Sequence, residues 1–161
     1  MLKKFFLILL IALIVIQFIH PRRNESKAAQ PNYIGSRFNI PSDVKTILEK
    51  ACNDCHSNNT RYPWYSKLQP VDWWMDDHVK DGKKELNLDE YTHRSLRFQY
   101  HKLEEIADEV KEGKMPLDSY TWIHKDAKLT EAEKKTLIDW ADGLREEMKS
   151  KYPLDSLVRK K

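Results

Sequence analysis

The stretch Cys52-Asn53-Asp54-Cys55-His56 decides how this chain of 161 residues folds. Its two thiols stand three positions apart, an imidazole directly follows the second, and the sequence contains no other cysteine. Thiols at this spacing can each form a thioether with one vinyl group of a haem, and the adjacent histidine can then bind the iron. The pattern therefore predicts one covalently attached haem c, with Cys52 and Cys55 as attachment points and His56 as the proximal iron ligand.

Two other kinds of site use the same residue types. A thioredoxin-like redox pair needs a βαβ context, and the sequence shows no strand-like alternation. A structural zinc site needs a closed set of four ligands, and no second pair of cysteines is available. Haem needs one further ligand or none, so the pattern favours haem.

Apolar residues recur at helical spacing in four segments around this stretch, which begin near Ser42, Pro70, Thr92 and Thr130. The first segment delivers Cys52 and Cys55 at its C-terminal end, and the second stops near Gly82. No β alternation and no internal repeat is present. The sequence therefore predicts an all-α fold, with four helices joined by long loops around the haem.

The N-terminal segment is apolar from Phe5 to Ile19, and Lys3 and Lys4 precede this run. A basic start followed by an apolar stretch is typical of an export signal. The run approaches the ~20 residues of a membrane-spanning helix, and no small-residue cleavage site follows it directly. We therefore predict an N-terminal hydrophobic helix that acts as an uncleaved anchor. The alternative is a signal that is cleaved near Ala28.

The basic excess of the chain is concentrated at this end. Residues 1–30 hold five of its 28 lysines and arginines and one of its 25 acidic residues, so residues 31–161 carry a net charge of about −1. A domain this close to neutral lacks the basic surface that nucleic acid requires, which predicts no nucleic-acid partner.

The sequence divides into four expected segments. These are a signal anchor or transmembrane segment over 1–22, a tether over 23–40, a haem-binding domain over 41–150 and a polar tail over 151–161.

The expected location follows from the chemistry of attachment. Haem is joined covalently to this pattern on the outer side of the bacterial inner membrane, so the domain is predicted to face the periplasm. The N-terminal segment would hold it to the inner membrane, or the protein would be periplasmic if a signal is removed. The expected partners are periplasmic or membrane-bound redox proteins.

A second axial ligand is expected from Met115, because a methionine thioether can complete the coordination of haem iron. Met115 precedes Pro116 in a loop before the last helix, and the proline biases it towards extended backbone, which suits the presentation of a side chain. Most methionines simply pack in a core, which stays the alternative. His78 is the alternative distal ligand, since it lies on a helix able to cover the haem. Hydrogen-bonded or surface positions are expected for His93, His101 and His124.

The remaining pocket residues are predicted from the needs of a large apolar cofactor. Trp74 is expected to wall the haem, and core positions are expected for Trp64, Tyr65, Trp73, Trp122 and Trp140. Arg61 is the expected partner of a haem propionate. The backbone carbonyl of Pro70 is expected to accept from the free ring nitrogen of His56, because such partners orient axial ligands.

The order of motifs along the chain is similar to that of a known family. The shared features are Cys52-Asn53-Asp54-Cys55-His56-Ser57-Asn58, Tyr62-Pro63-Trp64-Tyr65, Pro70, Trp73, His78-Val79, Gly82, Leu86-Asn87, Gly113-Lys114-Met115-Pro116, Tyr120, His124, Ala127-x-Leu129 and Trp140. Together they resemble the small bacterial haem-binding domain family, a cytochrome c-like group that often carries an N-terminal membrane anchor. The resemblance covers roughly residues 40–145 and implies a monohaem, mostly helical, cytochrome c-like domain that faces the periplasm.

Further likeness to class I cytochromes c implies that His56 is the proximal ligand and Met115 the distal one. His78 and its tryptophan-rich surroundings depart from the cytochrome c pattern, so both distal candidates stay open. If Met115 binds, no position is open for a substrate and the Met/His pair raises the reduction potential, which predicts an electron carrier rather than an enzyme. If it does not, a five-coordinate iron predicts a peroxidase or a gas or redox sensor, with His78 or His124 as the acid–base group.

Overall fold

A computed structural model describes residues 1–158 of the chain, and within these residues it is helical without a β-strand. The prediction of an all-α fold is therefore confirmed. The helices are α1 (Leu2–Ile16), α2 (Ser42–Ala51), α3 (Asn53–His56), α4 (Val71–Glu85), α5 (Leu96–Lys111), α6 (Asp118–Thr121), α7 (Glu131–Lys151) and α8 (Leu154–Leu157). Short 3-10 turns lie between them at Ile34–Ser36, Trp64–Lys67, Leu88–Glu90 and Lys125–Ala127.

The core forms where α5 and α7 pack against each other, with α2 against α7 and α8 against α5. The long helices carry apolar residues at intervals of three and four, so that one face is buried and the other is solvated. Leu103 on α5 and Leu137 and Met148 on α7 are almost fully buried. Burying an apolar side chain of this size contributes about 1.5–3 kcal/mol, so the α5–α7 contact is the main source of stability in the domain.

The predicted starts of α2 and α7 are close to the observed ones, whereas α5 begins at Leu96 rather than near Thr92. Helix α7 opens with a capping box, in which Thr130 Oγ1 accepts from the Glu133 N–H at 3.2 Å and the Glu133 carboxylate accepts from the Thr130 N–H at 2.9 Å. Helix α4 continues to Glu85, although the sequence predicts its end near Gly82. A glycine often marks the end of a helix, but this one lies inside α4 because another backbone approaches it closely.

Helix α1 does not form the predicted membrane anchor. It has 15 residues, none of them buried, and at 1.5 Å per residue it is about 22 Å long, short of the ~30 Å hydrocarbon core of a bilayer. Within residues 1–158, no helix combines the length and the apolar character needed to cross a membrane. The prediction of a location at the inner membrane, held by an N-terminal transmembrane helix, is therefore wrong.

Two segments that the sequence assigns to the periphery are packed against the domain. Residues 17–38, here called the strap, fall largely within the predicted tether, yet Ile34 and Phe38 lie in the core. In the predicted polar tail, α8 places Leu157 in the same core, while residues 159–161 lie outside the described residues. Isolated apolar residues in a polar stretch give no periodic signal, so the sequence could not assign them.

Arg23 joins the strap to the start of α4. Its guanidinium donates to Asp72 Oδ1 at 3.0 Å and to the Ser66 carbonyl at 2.9 Å, and it lies 4.3 Å from the centre of the Tyr62 ring. Asp72 is 1% exposed, so its carboxylate depends on protein partners rather than on water. Arg23 therefore satisfies a buried charge of the domain.

Asn24 joins the strap to the chain just after the motif. Its side-chain amide donates to the Ser57 carbonyl and to Thr60 Oγ1, each at 2.9 Å. The Thr60 hydroxyl donates in turn to the backbone carbonyl of Asp54 at 2.6 Å. A continuous chain of hydrogen bonds therefore runs from the strap into α3.

We expect the substitution Arg23→Ala to lower the free energy of unfolding by about 1–3 kcal/mol, because it leaves the Asp72 carboxylate buried with too few donors. Urea denaturation followed by circular dichroism measures this change. The matched control is Arg22→Ala, since Arg22 is exposed, and its expected effect is within about 0.5 kcal/mol. Equal stabilities of the two variants would show that the Arg23–Asp72 contact does not stabilise the domain.

Candidate functional site

The motif lies on α3, a single helical turn that packs against α4. The carbonyl of Cys52 accepts from the His56 N–H at 2.9 Å, which closes the turn. Gly82 permits the contact between the two helices, because a Cβ at Gly82 would lie 2.7 Å from the carbonyl oxygen of Cys55. A residue with a side chain would force α3 away from α4, so this position requires glycine.

The imidazole of His56 is oriented by two backbone carbonyls of α4. Its Nδ1 lies 3.0 Å from the Gly82 oxygen and 2.9 Å from the Leu86 oxygen. A carbonyl oxygen only accepts, so Nδ1 carries the proton and Nε2 keeps a free lone pair. Burial lowers the pKa of His56, with a smaller contribution in the same direction from the Lys102 ammonium. The ring is therefore a neutral imidazole, the form that binds metals.

The carbonyl partners of His56 differ from the predicted one. Pro70 stands at the opposite end of α4, where its carbonyl accepts from the Trp74 N–H at 3.2 Å. Gly82 lies in the last turn of α4 and Leu86 directly follows the helix; the Gly82 carbonyl also accepts from the Leu86 N–H at 2.8 Å. Pro70 therefore does not take the predicted role, because it lies at the wrong end of the helix.

A cleft opens beside the motif and consists of two cavities of about 370 Å³ and about 310 Å³. His56 and Met115 line both cavities, whereas Cys52 lines the larger and Cys55 the smaller. The wall of the larger cavity is mainly apolar and is built by Leu48, Leu86, Leu88, Ile106, Val110, Leu129 and Leu137. Two cavities that share lining residues form one site, and its size is that of an organic cofactor pocket. The structure thus brings together five of the predicted site residues: Cys52, Cys55, His56, His78 and Met115.

The loop after α5 presents Met115 to this cleft. Gly113 has a φ of +72°, a left-handed conformation that reverses the chain at the end of α5. The Met115 N–H then donates to the Glu109 carbonyl at 3.1 Å, which fixes the backbone at this residue. The side chain of Met115 also packs against the hydrophobic core. Met115 therefore packs against the core and lines the cleft at the same time.

His78, the alternative distal ligand, also borders the cleft but only at the smaller cavity. Its Nδ1 donates to the Trp74 carbonyl at 2.8 Å, and its ring lies 4.4 Å from that of Trp74. Trp74 itself is 47% exposed and lines neither cavity, because it points outward from α4. Surface or hydrogen-bonded positions are found for the remaining predicted competitors, His93, His101 and His124.

Arg61 lies outside the cleft, and Lys102 lines it instead. The Arg61 guanidinium donates to Asp54 Oδ1 at 3.1 Å, and this pairing holds it away from both cavities. Among the described residues that line the two cavities, Lys102 is the only lysine or arginine. Its side chain is 10% exposed, and its ammonium donates to Glu85 at 3.3 Å and to Glu105 at 2.5 Å. The cation available to an anionic group in the cleft is therefore Lys102.

The two thiols are free and protonated. Burial raises the pKa of Cys52 to about 12, with Cys55 contributing, and it raises the pKa of Cys55 to about 11, with Asp54 contributing. A redox-active pair and a zinc site both need thiolates, so these environments favour neither of the two alternatives. Within residues 1–158, no cluster of three or more His, Cys, Asp or Glu side chains is arranged to hold a metal ion.

Of the five aromatic residues predicted in the core, only Trp140 is buried. Trp64 and Trp122 are 74% and 70% exposed, and Tyr65 and Trp73 are half-buried outside the core. Trp64 begins a 3-10 turn and Trp122 directly follows the four-residue helix α6. The residues that the sequence left without a role at the site are Asp54, Gly82, Leu86, Lys102 and Tyr120.

Comparison with known proteins identifies one family. The sequence matches the family model described as the haem-binding domain over residues 11–143, which is more than half of the chain. No curated protein and no solved structure matches the chain.

We expect Gly82→Ala to lower the free energy of unfolding by about 1–3 kcal/mol, because the new methyl group would overlap the Cys55 carbonyl. Gly143→Ala is the matched control, since a Cβ there meets no atom within 4 Å. Its expected effect is neutral or stabilising by up to ~1 kcal/mol, as for any glycine replaced inside a helix. Urea denaturation of both variants measures the difference, and similar values for the two would contradict a close contact at Gly82.

Proposed function

The chain belongs to the haem-binding domain family, and on this premise we propose that it carries one covalently attached haem c and transfers single electrons. The observation that carries the proposal is the arrangement of His56. Two backbone carbonyls hold its Nδ1–H, which leaves the Nε2 lone pair available at a cleft that Met115 also lines. A fixed tautomer and a held ring are the usual preparation of a histidine ligand.

The attachment uses the thiols of Cys52 and Cys55. Each lines a different part of the cleft, which suits bonding to two vinyl groups of one ring. Each S–H adds across one vinyl C=C bond: the sulfur bonds to the inner carbon, the hydrogen goes to the terminal carbon, and the double bond becomes single. No atom is released, and no oxidant or reductant is consumed.

Three further side chains hold the cofactor in this proposal. Haem, when bound, supplies an iron ion that gains and loses one electron. His56 Nε2 and Met115 Sδ serve as its axial ligands, and the Lys102 ammonium pairs with a propionate. Lys102 is suited to this because it is buried at the cleft and its present partners, Glu85 and Glu105, are more exposed than it is.

Electron transfer is the function that these residues support best. Two protein ligands leave no open coordination position, and a Met/His pair raises the reduction potential relative to two histidines. The apolar part of the wall would leave fewer water molecules to reorganise when the charge of the iron changes. We infer a cytochrome c-like domain whose partners are proteins that exchange single electrons.

A second candidate function rests on His78. It lines the smaller cavity together with Met115, and its Nε2 is not engaged by the bond that Nδ1 makes to Trp74. If Met115 only packs in the core, His78 is placed to act as an acid–base group beside a five-coordinate iron. The protein would then be a peroxidase or a sensor of gases or redox state.

We expect the double substitution of Cys52 and Cys55 by alanine to abolish the haem stain of the protein on a denaturing gel, because no thioether can form. Each single substitution leaves one thioether and should keep a stained band. The measurement is haem staining after expression with the maturation machinery for c-type haem. Staining that survives in the double variant would contradict covalent attachment.

We expect Met115→Ala to convert a low-spin ferric spectrum to high-spin and to remove the weak Met–iron charge-transfer band at the red edge of the visible range. The reduced variant should also bind carbon monoxide, which the unaltered protein should not. His78→Ala is the matched control and should leave the spectrum unchanged. If His78→Ala makes the protein high-spin and Met115→Ala does not, the distal ligand is His78. A high-spin spectrum in the unaltered protein would favour the second candidate function.

A further inference from the structure

The carboxylate of Asp54, which stands between the two cysteines, makes contacts away from the motif. Its Oδ2 accepts from the Tyr120 hydroxyl at 2.7 Å, and its Oδ1 accepts from the Arg61 backbone N–H at 3.0 Å. Asp54 is 6% exposed, although an aspartate is normally solvated. The motif therefore contains a buried charge whose partners lie on two other segments of the chain.

Tyr120 belongs to the segment that follows Met115. It lies on α6, which has only four residues and is too short to be stable without tertiary contacts. Two side-chain contacts hold this segment: the Tyr120–Asp54 bond and the bond of 2.6 Å between His124 Nε2 and the Tyr65 hydroxyl. The rings of Tyr120 and His124 stack at 4.2 Å, so both contacts support the same piece of chain.

Met115 is consequently fixed from two directions. Before it, the backbone is held to the end of α5 through the Glu109 carbonyl. After it, the Tyr120 hydroxyl donates a hydrogen bond to Asp54 on the motif helix. The Asp54 carboxylate therefore links α3, which carries His56, to the segment that carries Met115.

We propose that Asp54 is a positioning residue that, through Tyr120, fixes the loop of Met115 to the motif helix and so determines how firmly Met115 is held at the iron. The inference rests on the proposed function. A hydrogen bond to a carboxylate is about twice as strong as one between neutral groups, which suits a contact that must hold a loop. Burial and the bond to Asp54 raise the pKa of Tyr120, so its hydroxyl stays protonated and remains a donor.

The test is competition between Met115 and an added ligand. In the ferric, full-length haem protein, imidazole displaces a methionine ligand, and optical titration gives its apparent Kd. Tyr120→Phe removes only the hydroxyl, and we expect it to tighten imidazole binding about tenfold, which corresponds to about 1.4 kcal/mol. Asp54→Asn should act in the same direction. The double variant should fall short of the sum of the two single effects, because both act on the Tyr120–Asp54 hydrogen bond: one removes its donor and the other removes the charge of its acceptor.

Tyr62→Phe is the matched control. The Tyr62 hydroxyl accepts from the Asn24 N–H of the strap and touches no part of the Met115 loop, so its removal should leave the imidazole Kd within twofold. Urea denaturation of all variants separates stability from positioning. A residue with a merely structural role would lower the unfolding free energy without changing the imidazole Kd, and that result in Tyr120→Phe would overturn the inference.

A second measurement uses the unaltered protein, so it tests the inference even where a variant does not fold. Coupling is reciprocal, so saturating imidazole, which removes Met115 from the iron, should loosen α6. We expect amide hydrogen exchange over residues 118–121 to accelerate at least threefold, while α7 stays unchanged. No acceleration would overturn the inference. If the unaltered protein shows no Met–iron band at all, Met115 is not a ligand and the proposed function is wrong. If the band is present but Tyr120→Phe does not change the imidazole Kd, only the inference about Asp54 is wrong.

Discussion

The hydrogen bonds from the His56 imidazole to the carbonyls of Gly82 and Leu86 are the constraint on which the rest of the site depends. They form at the C-terminal end of α4, where the helix dipole is negative. This environment raises the basicity of Nε2, the ring nitrogen on the opposite side. It also requires α3 to lie against α4 without an intervening side chain, which only Gly82 permits. One orientation of one ring thus dictates how two helices pack.

The two sides of the cleft are built differently. The side of His56 consists of helix packed on helix and is fixed by backbone groups. The side of Met115 is a loop and a four-residue helix, held by side-chain contacts of Tyr120 and His124. The His56 side is therefore held by backbone groups, whereas the Met115 side is held by side chains that single substitutions can remove.

Much of this arrangement could be predicted from the sequence, and the failures have physical reasons. Spacing alone indicated Cys52, Cys55 and His56, and the loop before a capped helix indicated Met115; the structure groups all four at one cleft. The hydrogen-bond partners of the His56 imidazole could not be predicted, because they are backbone carbonyls and every residue has one. Arg61 was expected to pair with a haem propionate, but its guanidinium binds Asp54 instead. The sequence does not show which carboxylate the fold brings next to an arginine. The long helices followed from periodicity, whereas the strap and α8 enter the core through single apolar residues that periodicity does not detect.

The strap connects α1 to the motif through ordered contacts. Asn24 bonds to Ser57 and to the Thr60 hydroxyl, and that hydroxyl bonds to the carbonyl of Asp54 within the motif. Arg23 binds the buried carboxylate of Asp72 at the start of α4. The segment between the exposed apolar helix α1 and the turn that carries His56 is therefore fixed to the domain at two neighbouring residues and is not a free linker.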